Sequence, residues 1–332
     1  LQKEIFNSLR RFDILQDLVE DSTISEIMIN GTNHIFIERE GMIYEWDRHF
    51  TDQQKLTDIV QQIAASSNRI VNQTSPIMDA RLSDGSRVNI VLPPVALDGP
   101  IITIRKFPNE AMNMEQLISF KTLSQEAAQF LQRLVYSGYN IFISGGTGSG
   151  KTTFLNVLSS YIPKDERIIT IEDSAELQIQ GIPNLVRLEV RNANVEGENE
   201  VTIRDLIKSA LRMRPSRIII GEVRDAAAID MLQALNSGHS GLSTGHSNSP
   251  TDMLSRLETM VLLGTEIPLQ AVRRQIASAL DLIVHLGRLR DHSRKVLEIT
   301  EVLDCVDGEI ELNPLFVFRE EAEDEEGKII GT

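Results

Sequence analysis

The residue types most suited to chemistry gather first at residues 141–152, Ile-Phe-Ile-Ser-Gly-Gly-Thr-Gly-Ser-Gly-Lys-Thr, which match G-x-x-x-x-G-K-[ST] in full. A polyphosphate is wrapped by backbone N–H groups, and side chains would block its approach. Gly145, Gly146, Gly148 and Gly150 clear that approach, with Thr147 and Ser149 between them. Lys151 supplies a point charge for the β and γ positions, and Thr152 a hydroxyl for Mg²⁺. Thr153 follows inside the helix whose N-terminal N–H groups and partial positive charge face the same ligand.

Three further segments pair an apolar run with a polar end. Ile168-Ile-Thr-Ile-Glu172-Asp173 ends in two carboxylates that can face Mg²⁺ or its waters, so Glu172 joins Thr152 as a candidate metal contact. Arg217-Ile-Ile-Ile-Gly221-Glu222 ends in the best candidate for the base that orients water against a γ-phosphate. Gly221 stands where a metal-directed Asp would be expected. Thr244-Gly-His246-Ser offers an imidazole able to hydrogen-bond the γ-phosphate, whereas His239 carries no assignment. Phosphoryl transfer needs more positive charge than one lysine. Arg81, Arg87 and Arg105 are candidates in the first part of the chain and Arg212, Arg214 and Arg224 in the second, and each could equally be a surface ion-pair partner.

These segments need a scaffold that brings strand ends together. From Ser124 onward the chain alternates helix and strand in the order of a parallel α/β sheet. Strands are expected at 140–144, 167–172, 185–190, 217–221, 242–245 and 281–286, with helices in the gaps. Thr202 and Asp205 form a helix cap after the polar loop Arg191–Glu200, and Glu320–Glu326 reads as a solvated charged loop. Upstream, the apolar positions Ile5, Phe6, Leu9, Phe12, Leu15, Leu18 and Val19 predict one amphipathic helix over residues 2 to about 20. Runs at 26–29, 34–38 and 42–46, split by Asn30-Gly31 and Glu40-Gly41, predict an antiparallel meander. Thr51 and Gln54 suggest a capping box for a helix that buries Leu56, Ile59, Val60 and Ile63. Strands at 78–82, 87–92 and 101–105 complete a small mixed sheet, with Ser83-Asp84-Gly85 as a turn. The expected division is an α+β domain at 1–107, a polar linker at 108–120 and an α/β domain at 121–332.

Composition narrows the partners. The 332 residues, 41% of them hydrophobic, suffice for two cores. Forty-eight acidic residues against 33 basic ones give a net charge of −15, which repels nucleic acid and anionic lipid at long range. Cys305 is the single cysteine, so no intramolecular disulfide forms and a reducing cytosol is the natural setting. One cysteine and six scattered histidines give neither C-x-x-C nor H-E-x-x-H spacing. With no long apolar stretch and no signal-peptide pattern, a soluble, unexported protein is expected. The opening Leu1 and the ending just after Leu315–Phe318 suggest a piece of a longer chain.

Taken in order, Gly-Gly-Thr-Gly-Ser-Gly-Lys-Thr-Thr, Thr-Ile-Glu-Asp, Ile-Ile-Ile-Gly-Glu-Val-Arg and Thr-Gly-His-Ser-Asn-Ser-Pro resemble the Walker A, Asp, Walker B and His boxes of the type II/type IV secretion ATPase superfamily. The segments Asp79-Ala-Arg-Leu-Ser-Asp-Gly-Ser-Arg-Val-Asn, Ile104-Arg-Lys-Phe, Ala210-Leu-Arg-Met-Arg-Pro and Ser255-Arg-Leu-Glu-Thr-Met are similar to the tight-adherence (Flp) pilus assembly branch, the CpaF/TadA-like ATPases. The resemblance covers about residues 5 to 318, and its one departure is Ser247 where this branch more often has Ala. It implies a RecA-like P-loop domain preceded by a smaller α+β, PAS-like domain, assembled as a homohexamer with ATP and Mg²⁺ between the two. Arg81, Arg87 and Arg105 would then reach phosphate, in cis or across a subunit boundary. It further implies a cytoplasmic motor held at the inner membrane by a pilus or secretion platform protein, acting on pilin indirectly. Glycine at 221 is the family's own variation.

Three functions follow from this reading: an ATP-driven motor for pilus assembly or retraction, a nucleotide-gated platform that hardly hydrolyses, and a nucleic-acid translocase. Retention of Glu222 weighs against the second, and the acidic charge against the third.

Overall fold

The structure is a computed structural model that describes residues 13–39, 41–67, 69–82, 84–107, 112–191, 199–325 and 327–332. Internal contacts divide the chain into two units, Leu1–Glu110 and Ala111–Thr332.

In the first unit a short 3-10 turn at Asp13–Leu15 leads into α1 (Gln16–Glu20). These buried Leu15 and Leu18 as the spacing requires, while positions 2–12 of the expected helix lie outside the described residues. The strands β1 (Ile24–Asn30), β2 (His34–Arg39), β3 (Met42–Glu45), β4 (Ile77–Arg81), β5 (Arg87–Val91) and β6 (Ile101–Arg105) form one sheet in the order β3-β2-β1-β6-β5-β4. Every pairing in it is antiparallel, so the expected mixed sheet is corrected. Neighbours close in sequence are joined by short connections, which favours antiparallel pairing, and β1 meets β6 antiparallel although β2 to β5 lie between them in the chain. Alternate residues Ile27, Ile29, Val88, Ile90, Ile102 and Ile104 face inward. Leu56, Ile59, Val60 and Ile63 of α2 (Gln53–Ser66) join them in one core. The α2 cap is Asp52, whose carboxylate accepts from the Lys55 N–H at 2.9 Å, one residue later than the Thr51 box expected. An ionised acceptor at the N-terminus outcompetes a hydroxyl.

The second unit is layered around a sheet in the order β14-β13-β12-β7-β11-β10-β8-β9. Its members are β7 (Ile141–Gly145), β8 (Ile168–Glu172), β9 (Leu185–Glu189), β10 (Arg217–Ile220), β11 (Ser240–His246), β12 (Leu282–Arg288), β13 (Arg294–Val306) and β14 (Glu309–Val317). Strands β12 to β9 are parallel, which requires cover on both faces and explains the unbroken Ile/Phe runs of β7, β8 and β10. One face packs on α3 (Met114–Ser119), α4 (Gln125–Ser137) and α5 (Lys151–Ser159). The other packs on α6 (Ile203–Ala210), α7 (Ala227–Asn236), α8 (Pro250–Gly264) and α9 (Leu269–Ala279).

Three expectations change here and one, a helix cap, is met. The polar linker contains α3, closed by an Asn113/Gln116 capping box, and its Met114 and Leu117 enter the core of this unit. No helix lies between β8 and β9. The Thr202/Asp205 cap forms, but most of the loop ahead of it, 192–198, lies outside the described residues. The acidic tail forms a hairpin, β15 (Glu320–Glu323) with β16 (Ile329–Gly331). Carboxylates alone would not hold that hairpin, and Arg290 does so by bonding Glu320 and Glu323. Among the described residues no helix is long and apolar enough to cross a membrane.

A candidate nucleotide site at the carboxyl ends of four strands

Strands β7, β11, β10 and β8 lie side by side and parallel, so their carboxyl ends open at one edge of the sheet. Those ends carry Gly145, His246, Ile220 with Gly221-Glu222, and Glu172. This is the crevice where ligands bind in open α/β sheets. The sequence pairs Glu172 with a phosphate loop on a neighbouring strand, but β11 and β10 intervene, which puts β8 about 14 Å from β7 at the usual strand spacing.

The phosphate loop is preformed. Ser149 Oγ donates to the Gly146 carbonyl at 2.9 Å across its base, while Gly146, Thr147 and Gly148 are exposed. Gly148 has φ +72°, a conformation an L side chain resists, and Arg288 Nη1 lies 3.8 Å from where its Cβ would stand. Thr152 is half-buried in the first turn of α5 and Thr153 is exposed beside it.

Lys151 is buried, and its ammonium donates to the carbonyls of Gly145 at 3.0 Å and Gly146 at 2.9 Å. It also contacts His246 Nδ1 at 3.3 Å. An ammonium can only donate, so Nδ1 accepts and the ring proton belongs on Nε2, which lies 3.2 Å from Glu222 Oε1. Lys151, His246 and Glu222 therefore form one directed chain. Burial, followed by the Lys151 charge, holds the His246 proton affinity below its ordinary value, with Glu222 pulling the other way. Arg224 closes the far end: Nη2 donates to Glu222 Oε2 at 2.7 Å and Nη1 stands 3.5 Å from Asp173 Oδ2.

Glu172 is 3% exposed. Its Oε2 accepts from the Glu176 and Leu177 N–H groups at 2.7 and 2.8 Å, and its buried Oε1 has no hydrogen-bond partner. Burial raises its pKa to about 6 against the downward pull of those two bonds. The same side chain accounts for Gly221, where a Cβ would come within 3.0 Å of Glu172 Cγ.

The remaining candidates separate. Arg81, Arg87 and Arg105 sit in one row of the first unit, Arg81 opposite Arg87 and Arg87 opposite Arg105, with Arg81 5.8 Å from the Phe107 ring. Arg212 and Arg214 are exposed after α6, and His239 bonds Ser237 and the Ala234 carbonyl at the end of α7. Two features escaped sequence reasoning. Buried His285 meets Ser144 Oγ at 2.9 Å, and Arg294 Nε donates to the Gly148 carbonyl at 2.9 Å. Only the pairing of β12 with β7 puts either there, and no local pattern marks it.

The model of the family described as type II/IV secretion system protein matches residues 9–323. The chain belongs to the type II/IV secretion system ATPase superfamily. A putative conjugal transfer protein of Mycobacterium tuberculosis is 32% identical to this secretion ATPase over 305 residues, 90% of this chain and 86% of that one. The type IV secretion system protein VirB11 of Brucella suis is 31% identical over 301 residues, covering 82% and 83%. The solved structure of the ATPase DotB from Legionella pneumophila is 22% identical, covers 85% of this chain and 78% of its own, and superposes with a TM-score of 0.60, a likeness of fold. The expected α/β fold with a P-loop domain of the secretion-ATPase type is what the chain adopts.

Proposed function

We propose that this secretion ATPase is a motor that hydrolyses ATP to drive assembly of an Flp-type pilus or a related secretion machine. The observation that carries the reading is Glu222, held in line with His246 and Lys151 at adjoining strand ends beside the phosphate loop. The loop N–H groups from Gly145 to Thr153, with Lys151, would hold the triphosphate. Glu222 would orient the attacking water and take its proton, which requires it to exchange Arg224 and His246 for that water. His246, neutral with its proton on Nε2, would trade Lys151 for the γ-phosphate and register its loss. The row of Arg81, Arg87 and Arg105 would add positive charge, from the same or an adjacent subunit.

For Mg²⁺, Thr152 offers a hydroxyl beside the loop, and Glu172 Oε1, a buried oxygen with no hydrogen-bond partner, would act on the ion through its waters. Among the described residues no group of three or more His, Cys, Asp or Glu is placed to cage a metal, so Thr152, water and the nucleotide would supply most of its ligands, as magnesium prefers. Bound there, Mg²⁺ would draw charge from the β- and γ-phosphate oxygens.

Several features support a homohexameric ring working at the inner face of a membrane through a platform protein: family membership, the segments that resemble the Flp branch, and two compact units joined by one chain. A functional division of the chain near residue 110, within the expected stretch from 107 to 120, belongs to the same proposal. Relatives named for conjugal transfer and type IV secretion favour a secretion machine as the alternative setting, with the same ATP chemistry.

The test is steady-state phosphate release by wild type and Glu222→Gln. The motor reading expects a loss of about 10²- to 10⁴-fold with ATP binding retained. Equal rates would instead mark a nucleotide-gated platform, and DNA-stimulated release a translocase.

A further inference from the structure

The turn that joins β12 to β13 runs along the phosphate loop. Leu286 is the register partner of Gly145, so the chain leaving β12 travels beside the chain leaving β7. It carries three arginines with different fates. Arg290 turns away and is taken up by Glu320 and Glu323 of the terminal hairpin. Asp291 fastens the same turn to that hairpin: against the upward push of burial, its bonds from Ile329 and Ser293 together hold its carboxyl at about 2, well below the ordinary range. Arg288 and Arg294, by contrast, are opposite one another in the β12–β13 register and both reach the loop. Arg294 Nε donates to the Gly148 carbonyl at 2.9 Å, and a Cβ on Gly150 would meet its Cδ at 3.3 Å. Arg288 Nη1 lies 3.8 Å from where a Cβ on Gly148 would stand, and its Nη2 donates to His292 Nδ1 at 3.3 Å.

A guanidinium beside the loop is suited to a polyphosphate, because its fork matches phosphate oxygens. We infer that Arg288 is a further polyphosphate-binding residue, supplied by the same subunit from the side of the loop opposite His246, with Arg294 bracing the loop through Gly148. The inference rests on the nucleotide site proposed above and extends it: the hairpin of β15 and β16, by gripping Arg290 and Asp291, sets where that arm lies. Strand order supports the two-sided arrangement, since β11 flanks β7 on one edge and β12 on the other.

The experiment is calorimetric titration of the full chain with ATP and with inorganic tripolyphosphate, comparing wild type, Arg288→Ala, Arg288→Lys and Lys151→Ala. Arg288 is exposed, so its substitution leaves the core intact, and a melting curve without ligand verifies this. Loss of one charge-assisted contact predicts about tenfold weaker binding of both ligands by Arg288→Ala, with Arg288→Lys between it and wild type. Binding by Arg288→Ala within twofold of wild type, while Lys151→Ala is weakened, overturns the inference and leaves the phosphate-loop site standing. Weakening for ATP but not for tripolyphosphate also overturns it, by moving Arg288 to the nucleoside. If Lys151→Ala is unchanged too, the site itself falls.

Discussion

Replacing Glu172 by Gln should make the nucleotide-free protein more stable at neutral pH. The carboxylate is buried with one oxygen unpartnered, and its pKa lies at about 6 rather than the ordinary 4.5. Because the folded state holds this proton more tightly than the unfolded state, ionisation opposes folding. The penalty is fully present above pH 6, shrinks as pH falls towards 4.5 and is gone below it. At about 1.4 kcal/mol per tenfold change in proton affinity, the displacement amounts to about 2 kcal/mol. Gln keeps an oxygen for the Glu176 and Leu177 N–H groups and removes the charge, at the cost of an NH₂ group where Oε1 has no partner. The expected gain is therefore ~1–2 kcal/mol at pH 8, falling to near zero at pH 4.5. Urea unfolding of both proteins from pH 4.5 to 8 in EDTA measures it. A gain that fails to narrow in acid, or no gain at pH 8, would refute burial as the dominant influence on Glu172.

Three other perturbations follow from the same geometry. Gly221→Asp forces a Cβ to within 3.0 Å of Glu172 Cγ and adds a like charge, and should cost ~1–3 kcal/mol in chemical denaturation. Arg217→Met should cost ~3–5 kcal/mol on the same assay. Arg217 is 2% exposed, grips Glu166 through Nε at 2.5 Å and Nη2 at 2.9 Å, and donates to the Val135 and Tyr136 carbonyls that end α4. Lys151→Met removes the ammonium beside His246 Nδ1 and should raise the pH at which that imidazole titrates by NMR, since this charge helps hold it down. An unmoved titration would show that the two groups do not meet in solution.

The parts of this protein that its sequence disclosed are those decided within a few residues. Buried parallel strands demand apolar runs, so β7, β8 and β10 were visible, as were the glycine loop and the polar residues capping each run. What stayed hidden depends on distant partners. The strands β13 and β14 mix charged and apolar residues because they form an antiparallel edge with one face towards solvent, a weaker pattern than a buried strand gives. Glu320–Glu323 reads as a loop until Arg290, thirty residues earlier, neutralises it. Arg294 and His285 have no local mark of function, and only β12 beside β7 brings them to the site.

The glycine at 221 shows how one absence becomes intelligible in three dimensions. Read along the chain, it is a missing acid beside Glu222. In the folded sheet, β10 and β8 are neighbours with Ile220 opposite Ile171, so the residue after Ile220 lies against Glu172. A side chain there would displace the Glu172 stem, whose carboxylate is fixed from the other side by two backbone N–H groups. The acid at this edge is thus carried by β8 instead of β10, and Glu222 is left to a different set of neighbours, Arg224 and His246. One carboxylate is buried with an oxygen that has no hydrogen-bond partner, and the other ends the relay from Lys151 against Arg224. That separation of environments would let two glutamates on adjacent strands take the different roles proposed above, one towards the metal and one towards water.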